Sequence, residues 1–528
     1  MDDEAKYHQG QAMTAITRAF REHGLDTVSL LFIFFPCFLF CVGWLKPVFA
    51  VAACLILIAG VYAAIRSLNS GQDEEDQRPV EPDSPAVLRI KYAAIAGLVV
   101  FVVAYSGIGG YSFQVPDYAN KHNSFMKDFI EYPWPLGYEK TGTDDRPGPL
   151  VTYIAFYLPP AFVGKLLGWN AANFFSVVWA IVGLYLIVMW FLRLIGKVSL
   201  RYTLLFLFFG GLDIIGWIFL NDDFFPIARH GTLDYWVGYG TAADRAVDVA
   251  LNGVKWFYFS NMTFLCQGCH HIFPGSIIVL MIMNHAIRRR SVESMGFLWA
   301  AAPLGSVFVA IGIVPYMVVS LATTRCRNLF TFQNMVAAPV LLLISGLFFL
   351  SNNAEYPHGW LWKYQDLSAS WIFLMLFCLV EFGVYVAACP VNLENPGTRP
   401  ARIWWWTAIA CLALLPFYRL GRYSDLTAKG ALPSLLMLQV YLIATIHNAT
   451  TKTERNAVRL LVLLLIIGTV ASVNALTRGL KGGLRSTPPP YEEVQHVNDI
   501  PFKGVATQLF GDTEAFFWRH LAKPVELQ

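Results

Sequence analysis

The residues best suited to chemistry lie in one polar and aromatic segment, residues 111–170, set between strongly apolar stretches. Asp117, Lys121 and His122 follow one another closely there, among tyrosine, phenylalanine and tryptophan residues. A carboxylate can accept a proton, whereas an ammonium group and an imidazole can bind an anion or donate hydrogen bonds. We therefore predict that this segment carries the reactive groups of the protein, with Asp117 as the leading candidate.

A second set of acidic residues lies further along the chain. Asp213 falls inside an apolar stretch, where an unpaired charge is costly, so its carboxylate needs either a structural partner or a function. Asp222 and Asp223 follow that stretch. Paired carboxylates can bind a divalent cation through oxygen ligands. The same pair is common in exposed turns, which we favour, and the two residues are weak candidates for a metal site.

Cys266, Cys269 and His270 have the Cys-x-x-Cys-His spacing of a c-type haem attachment motif. The motif runs directly into an apolar span, and neither a second copy nor an evident axial ligand accompanies it. A disulfide or a zinc-binding pair is a second interpretation. Two incidental apolar cysteines are the third, and we favour it because a buried thiol behaves as a small hydrophobic group.

The composition indicates a membrane protein. Of the 528 residues, 56% are hydrophobic and 14% are charged, whereas soluble proteins carry roughly 25% charged residues. The net charge of +3 is small and dispersed, which argues against nucleic acid as a partner. No glycine-rich phosphate loop stands in a strand-to-helix setting, and no soluble α/β domain is evident. Nucleotide-driven transport and a nucleotide-sugar donor are therefore not supported.

Apolar runs of about 20 residues predict transmembrane helices. Two further stretches are ambiguous. A proline pair interrupts residues 148–168, and several prolines and glycines interrupt residues 296–322, which favours a re-entrant hairpin. The predicted fold is an all-α polytopic bundle of about eleven spans with one such hairpin. The spans are 28–45, 48–65, 92–110, 171–192, 202–220, 272–287, 329–350, 369–391, 403–418, 431–447 and 459–476.

Lysine and arginine residues indicate the orientation, because they concentrate in cytoplasmic connections. They cluster in the linker 66–91. After that linker, most of the connections that follow every second predicted span contain such a cluster. All these basic clusters lie on the same side of the membrane only if residues 148–168 do not cross the membrane and residues 296–322 return to the side from which they start. The N-terminus is then cytoplasmic. The segments expected outside are 111–170, 221–256, 351–368, 419–430 and the tail after Leu476.

The chain divides into three regions. Residues 1–91 hold two helices and an acidic, proline-containing linker, residues 92–476 form the main transmembrane region, and residues 477–528 form an outer tail. We expect the tail to cap the outer face. No internal repeat is visible.

The outer connection 419–430 contains basic residues, although lysine and arginine normally concentrate in cytoplasmic connections. Arg422 and Lys429 are therefore candidates for binding a ligand's phosphate. The alternative is pairing with Asp425 or with lipid headgroups. Lys363, among tryptophans, is a weaker candidate of the same kind.

The order of these features resembles a known family. A helix leaves the cytoplasm, a large outer loop opens with the acidic Asp117, and Pro-led amphipathic segments end in Lys165-Leu-Leu-Gly168. In this order the chain resembles the GT-C superfamily, polytopic glycosyltransferases that use polyprenyl-phosphate-linked sugars. Two helices precede the one leading into the loop, and Tyr118 stands where several branches have a second acid. Motifs similar to those of bacterial members are Gly211-Leu-Asp213-Ile-Ile-Gly216, His270-His271-Ile-Phe-Pro274-Gly275 and Gly421-Arg422-Tyr423-Ser424-Asp425.

The resemblance implies an inverting transfer of one sugar from a polyprenyl-phosphate donor to a lipid-linked or cell-envelope acceptor. It makes Asp117 the base that takes the acceptor's proton, with His122 orienting it or binding phosphate. Arg422, Lys429 and His271 are expected to hold the leaving phosphate, and His270 to lie at the mouth of the lipid site. The reaction is expected on the outer face of a bacterial inner membrane. The resemblance leaves open whether the reaction uses a divalent cation as a cofactor.

Two other functions compete with this interpretation. A secondary transporter or lipid flippase would use Asp213 and Asp117 for ion coupling, although such proteins place ionisable groups near the membrane midplane and often contain inverted repeats. An envelope-glycan polymerase or ligase would share the outer site but use a pyrophosphate-linked donor.

Overall fold

The computed structural model describes residues 24–70, 84–115, 118–139, 147–212, 258–352, 356–363, 374–389, 399–421, 424–499 and 509–528. This part of the chain is mostly helical with few strands. Nine of its helices are long and apolar enough to cross a membrane. The protein is thus a helical, multi-pass membrane protein.

The candidate spans are helices because a helix satisfies its own backbone hydrogen bonds where lipid offers none. Local signals define several helix ends. Ser84 caps the helix that begins with Pro85, and Thr451 forms a capping box with Glu454 at the start of the last span. The spans are Gly24–Trp44, Pro47–Ser67, Pro85–Ala104, Trp169–Ile195, Cys269–Arg289, Val307–Thr324, Gln333–Leu350, Asp425–Asn448 and Lys452–Gly482.

Short helices and strands join the spans. The strand Leu136–Tyr138 pairs antiparallel with Gly148–Pro149 and parallel with Glu526–Leu527. A second small sheet pairs His358–Trp360 with Tyr418–Leu420. The shorter helices include Tyr118–His122, Asn123–Glu131, Leu158–Leu167, Leu200–Leu207, Asn261–Gln267, Met295–Ala300, Ala302–Gly305, Leu361–Lys363, Val384–Ala388 and Leu415–Phe417.

Most of the predicted spans coincide with a candidate span. The predicted span 202–220 is described only to residue 212, and its helix ends at Leu207. The predicted spans 369–391 and 403–418 correspond to the shorter apolar helices Leu374–Ala388 and Arg402–Phe417.

Residues 296–322, predicted to form a hairpin, consist of short helices followed by the longer helix Val307–Thr324. Ser306 begins that helix by accepting a hydrogen bond on its hydroxyl oxygen. The backbone N–H of Val292, before the hairpin, donates to the carbonyl of Arg327, after it, at 3.0 Å. Its two ends therefore lie together, and the segment returns to the side from which it starts.

One face of the bundle, which we name the loop face, gathers several connections and the C-terminal tail. It consists of residues 45–46 and the described parts of 105–170, 351–363, 418–424 and 483–528. Hydrogen bonds between these segments keep them on the same side of the spans. The bonded pairs include Lys46–Leu521, Trp169–Pro489, Ser351–Asp512 and Pro357–Gly421.

The opposite ends of the spans form an arginine face. Arg193 lies at the far end of the helix that begins beside the tail, and its carbonyl accepts a hydrogen bond from Arg288 Nη2 at 2.5 Å. The buried carboxylate of Asp26 lies 3.1 Å from Arg193 Nη1 and 3.1 Å from His285 Nε2. Arg289 lies 3.9 Å from the carboxylate of Glu293. Basic residues from separate connections thus meet at one end of the bundle.

The tail holds the first loop through a buried carboxylate. Asp128, on the helix Asn123–Glu131, is fully buried. It accepts hydrogen bonds from the Tyr138 hydroxyl at 2.6 Å and the Val497 backbone N–H at 2.9 Å. His496 Nδ1 lies 2.7 Å from the same carboxylate. A buried carboxyl group needs such partners, and two of these come from the tail.

Burial raises the pKa of Asp128, while its hydrogen-bond partners oppose the shift. A carboxyl group whose pKa is higher in the folded than in the unfolded state contributes its full stabilisation at pH values below the unfolded-state pKa. That contribution is lost as the pH rises through the folded-state pKa. We expect the stability of the wild type relative to Asp128→Asn, which cannot ionise, to fall as pH rises from about 4 to about 7. Thermal unfolding in detergent at several pH values measures the difference. A difference that is constant or grows with pH contradicts this expectation.

Candidate functional site

The predicted site residues fall into two groups. Asp117, Asp213, Asp222, Asp223 and Arg422 lie outside the described residues. The others are described and lie on segments far apart in sequence, which the fold brings together at the loop face. They are Lys121, His122, His270, His271, Asp425 and Lys429.

His122 is a buried imidazole at the point where the first loop enters its helix. Its Nδ1 lies 2.6 Å from the Tyr157 hydroxyl. The Tyr118 ring stacks on it with ring centroids 4.4 Å apart. These two contacts fix the orientation of the imidazole, and Asp117 directly precedes Tyr118 in the sequence.

His270 and His271 lie buried at the beginning of the span Cys269–Arg289. The His270 ring centroid is 5.0 Å from that of His122 and 3.9 Å from that of His271. His271 Nδ1 lies 2.9 Å from the Ser306 hydroxyl. Because Ser306 also caps the return helix of the hairpin, the position of His271 is set by the fold. We name His122, His270 and His271 the histidine cluster.

Tyr153 lies between the histidine cluster and Phe308 of the helix Val307–Thr324. Its ring centroid lies 6.0 Å from His270, 5.3 Å from His271 and 6.3 Å from Phe308. Burial holds the pKa of Tyr153 well above its usual range, and the Asp425 carboxylate raises it further. The phenol therefore remains a neutral hydroxyl at physiological pH and can donate a hydrogen bond.

The hairpin tip holds the segment that carries Tyr153. The carbonyl of Leu304 accepts hydrogen bonds from the backbone N–H groups of Ile154 and Ala155, both at 3.0 Å. Two adjacent bonds to one carbonyl fix the backbone direction of this irregular segment. The tyrosine is thus positioned by contacts within the bundle rather than by a free loop.

Lys429 and Asp425 form an ion pair one helical turn apart. The Lys429 Nζ lies 2.7 Å from Asp425 Oδ1 and 5.6 Å from the Phe308 ring centroid. Gly421 has a φ of +90°, and a Cβ on it would collide with the Asp425 carboxylate. Glycine is therefore required there for the chain to pass the carboxylate. The sequence suggested pairing with Asp425 as the alternative to a ligand-binding role for Lys429, and this pair is present.

Among the described residues around the histidine cluster, two lysines stand against one carboxylate. Lys121 and Lys429 lie close enough to His270 and His271 for their charges to act on both imidazoles. Asp425 is the carboxylate paired with one of them. Ammonium groups and imidazoles together can bind a phosphate through charge-assisted hydrogen bonds. The arrangement is suited to an anion.

The cysteines of the haem-like motif are both buried free thiols. Cys269 lies close enough to Tyr118 for its charge to act on that phenol. Its sulfur and one ring nitrogen each of His122 and His270 lie within 4.8 Å of one another. These three residues could hold a metal ion, whereas incidental apolar cysteines were the favoured of the three interpretations drawn from the sequence.

Several site residues have no strong signal in the sequence. Tyr153 and Tyr157 are aromatic residues in an apolar stretch, and their neighbours in space come from distant segments. Ser306 is the exception, since a serine directly before an apolar run is a helix N-cap signal. Its contact with His271 depends on the tertiary fold.

A comparison of the chain with protein-family models, curated proteins and solved structures gives no match.

Proposed function

We propose that the protein is a GT-C-type glycosyltransferase that takes one sugar from a polyprenyl-phosphate donor. The acceptor is a lipid-linked or cell-envelope molecule on the outer face of a bacterial inner membrane. The observation that carries this proposal is the convergence of Lys121, the His270–His271 pair and Lys429. These residues meet where the first loop, just after Asp117, enters its helix.

The lysine ammonium groups and the imidazole hydrogen-bond donors match the chemistry of the proposed donor. Negative charge grows on the phosphate as the sugar leaves it, so groups aimed at the phosphate stabilise the transition state. Lys121, His271 and Lys429 are placed to do so, and Arg422 belongs to the same connection as Lys429. Asp117 acts as the base that takes the proton from the acceptor hydroxyl as the anomeric carbon is attacked.

The two faces of the bundle support the proposed orientation. Lysine and arginine concentrate in cytoplasmic connections, and Arg193, Arg288 and Arg289 come together at the arginine face. With that face in the cytoplasm, the loop face and the histidine cluster are outside. The cluster then lies at the ends of spans, where the phosphate of a membrane-embedded lipid would reach it.

Removal of the Lys429 charge should weaken binding of the donor phosphate. For Lys429→Met we expect the KM for a polyprenyl-phosphate sugar to rise roughly 10- to 100-fold, the effect of losing one charged hydrogen bond. Steady-state transfer kinetics with purified protein measure it. Lys481→Met, an exposed lysine at the end of the last span, is the matched control and should keep the wild-type KM.

Lys429→Met also leaves Asp425 without its partner, so a second variant separates the two effects. Lys429→Arg keeps the positive charge and should recover much of the lost affinity. Equal KM values for Lys429→Met and the wild type, in protein that remains folded, would remove Lys429 from the donor site.

A further inference from the structure

Cys269, His122 and His270 form a set of metal-ligand type, and the proposed transfer reaction gives Cys269 no part. All three side chains are buried, and their ligand atoms lie within 4.8 Å of one another. Thiolate and imidazole are ligands of zinc, whereas magnesium and calcium prefer oxygen. We propose that these residues bind a zinc ion. The site goes beyond the proposed transfer reaction and does not depend on it.

The distances suit a small closure onto a metal. Zinc bonds of about 2.0 Å to nitrogen and about 2.3 Å to sulfur place tetrahedral ligand atoms roughly 3.5 Å apart. The three ligand atoms are already within 4.8 Å of one another, so closing the set takes a contraction of about 1 Å.

His270 supplies an independent reason for a ligand at this position. Its Nδ1 is buried and has no hydrogen-bond partner in the described part of the chain. A buried polar atom without a partner costs about 1–3 kcal/mol. Coordination to a metal would engage this ring through a nitrogen lone pair and so provide the partner that the described side chains do not supply.

The surrounding groups resemble an outer shell around a metal. The Tyr157 hydroxyl contacts His122 Nδ1 at 2.6 Å, which directs the Nε2 side of that ring to the metal. The Tyr118 phenol lies near Cys269 and is a donor that a thiolate could accept from. Such partners orient the ligands and tune their basicity.

The charge of the site determines what else would bind. Cys269 gives up its thiol proton to solvent when it coordinates the metal, so Zn²⁺ with one thiolate carries one excess positive charge. Three protein ligands leave a fourth position open for a water molecule or an anionic oxygen. An anion there would offset the excess charge, which is costly in a buried site.

A metal titration of the full-length protein tests the proposal. After treatment with a chelator, the purified wild type should bind Co²⁺ and show a sulfur-to-cobalt charge-transfer band that Zn²⁺ abolishes. Cys269→Ser should lose the band and raise the zinc dissociation constant by about 100-fold or more. Cys266→Ser, which changes the other buried thiol of the same motif, should keep both.

His270→Gln provides a second variant in case Cys269→Ser does not fold, and it should weaken zinc binding while keeping the thiolate band. The proposal is wrong if folded wild-type protein binds no Co²⁺. It is also wrong if Cys266→Ser and Cys269→Ser lose the band equally. Both results are read from metal binding alone, so they stand apart from the outcome of any sugar-transfer assay.

Discussion

Replacement of Asp117 by asparagine is expected to lower the rate of sugar transfer by about 10²- to 10⁴-fold, the usual contribution of a positioned general base. Asparagine keeps the size and the hydrogen-bonding capacity of the side chain but cannot accept the proton of the acceptor hydroxyl. The KM for the donor should change much less, because other groups are proposed to hold the phosphate. The loss should therefore lie in kcat.

The assay for Asp117 is transfer of label from a polyprenyl-phosphate sugar by purified protein. Glu139→Gln is the matched control, since Glu139 is an exposed carboxylate of the same loop and should keep wild-type activity. Transfer at the wild-type rate by a folded Asp117→Asn protein would remove Asp117 from the role of base. Asp213 and Asp222 would then be the next carboxylates to replace.

Truncation of Asp128 is expected to release the tail from the first loop. Asp128→Ala leaves the buried Tyr138 hydroxyl and the buried Val497 N–H without their acceptor, and it removes one partner of the partly exposed His496. Removing one partner from a buried charged network costs about 3–5 kcal/mol. The population of protein with an open tail should then rise at least about 100-fold.

Limited proteolysis of the tail measures this population, because cleavage follows the open fraction when opening and closing are fast. Glu131→Gln is the matched control: Glu131 is exposed on the same helix and contacts Tyr491 of the tail. Its replacement should change the cleavage rate little, since exposed contacts contribute little to stability. Equal cleavage of Asp128→Ala and the wild type would show that the tail is held by other contacts.

The spans could be predicted from the sequence because each depends on local properties. A continuous apolar run determines a helix wherever lipid surrounds it, as for the helices Trp169–Ile195 and Gln333–Leu350. The prolines and glycines of residues 296–322 likewise indicated a break. What could not be predicted is a helix end inside an apolar run, as at Leu207, where the helix ends well inside the predicted span 202–220.

The site could be predicted only in part, for reasons that are also physical. The polar character of Lys121, His122, His270 and Lys429 marked them as candidates, but their meeting depends on tertiary packing. Lys127 shows the limit of such reasoning. As a lysine in a polar loop it would be expected in solvent, yet it is buried and its Nζ donates to the Val494 carbonyl at 2.8 Å. A distant segment of the chain supplies its partner.

Transfer of labelled sugar by the purified, zinc-supplied protein from a panel of donors decides whether the proposed reaction takes place. The panel contains polyprenyl-phosphate sugars, a pyrophosphate-linked glycan and nucleotide sugars, with an envelope lipid extract as acceptor. We predict transfer from a polyprenyl-phosphate sugar and none from the other donors. Transfer from a pyrophosphate-linked glycan or a nucleotide sugar alone, or from no donor at all by folded protein, would contradict the account.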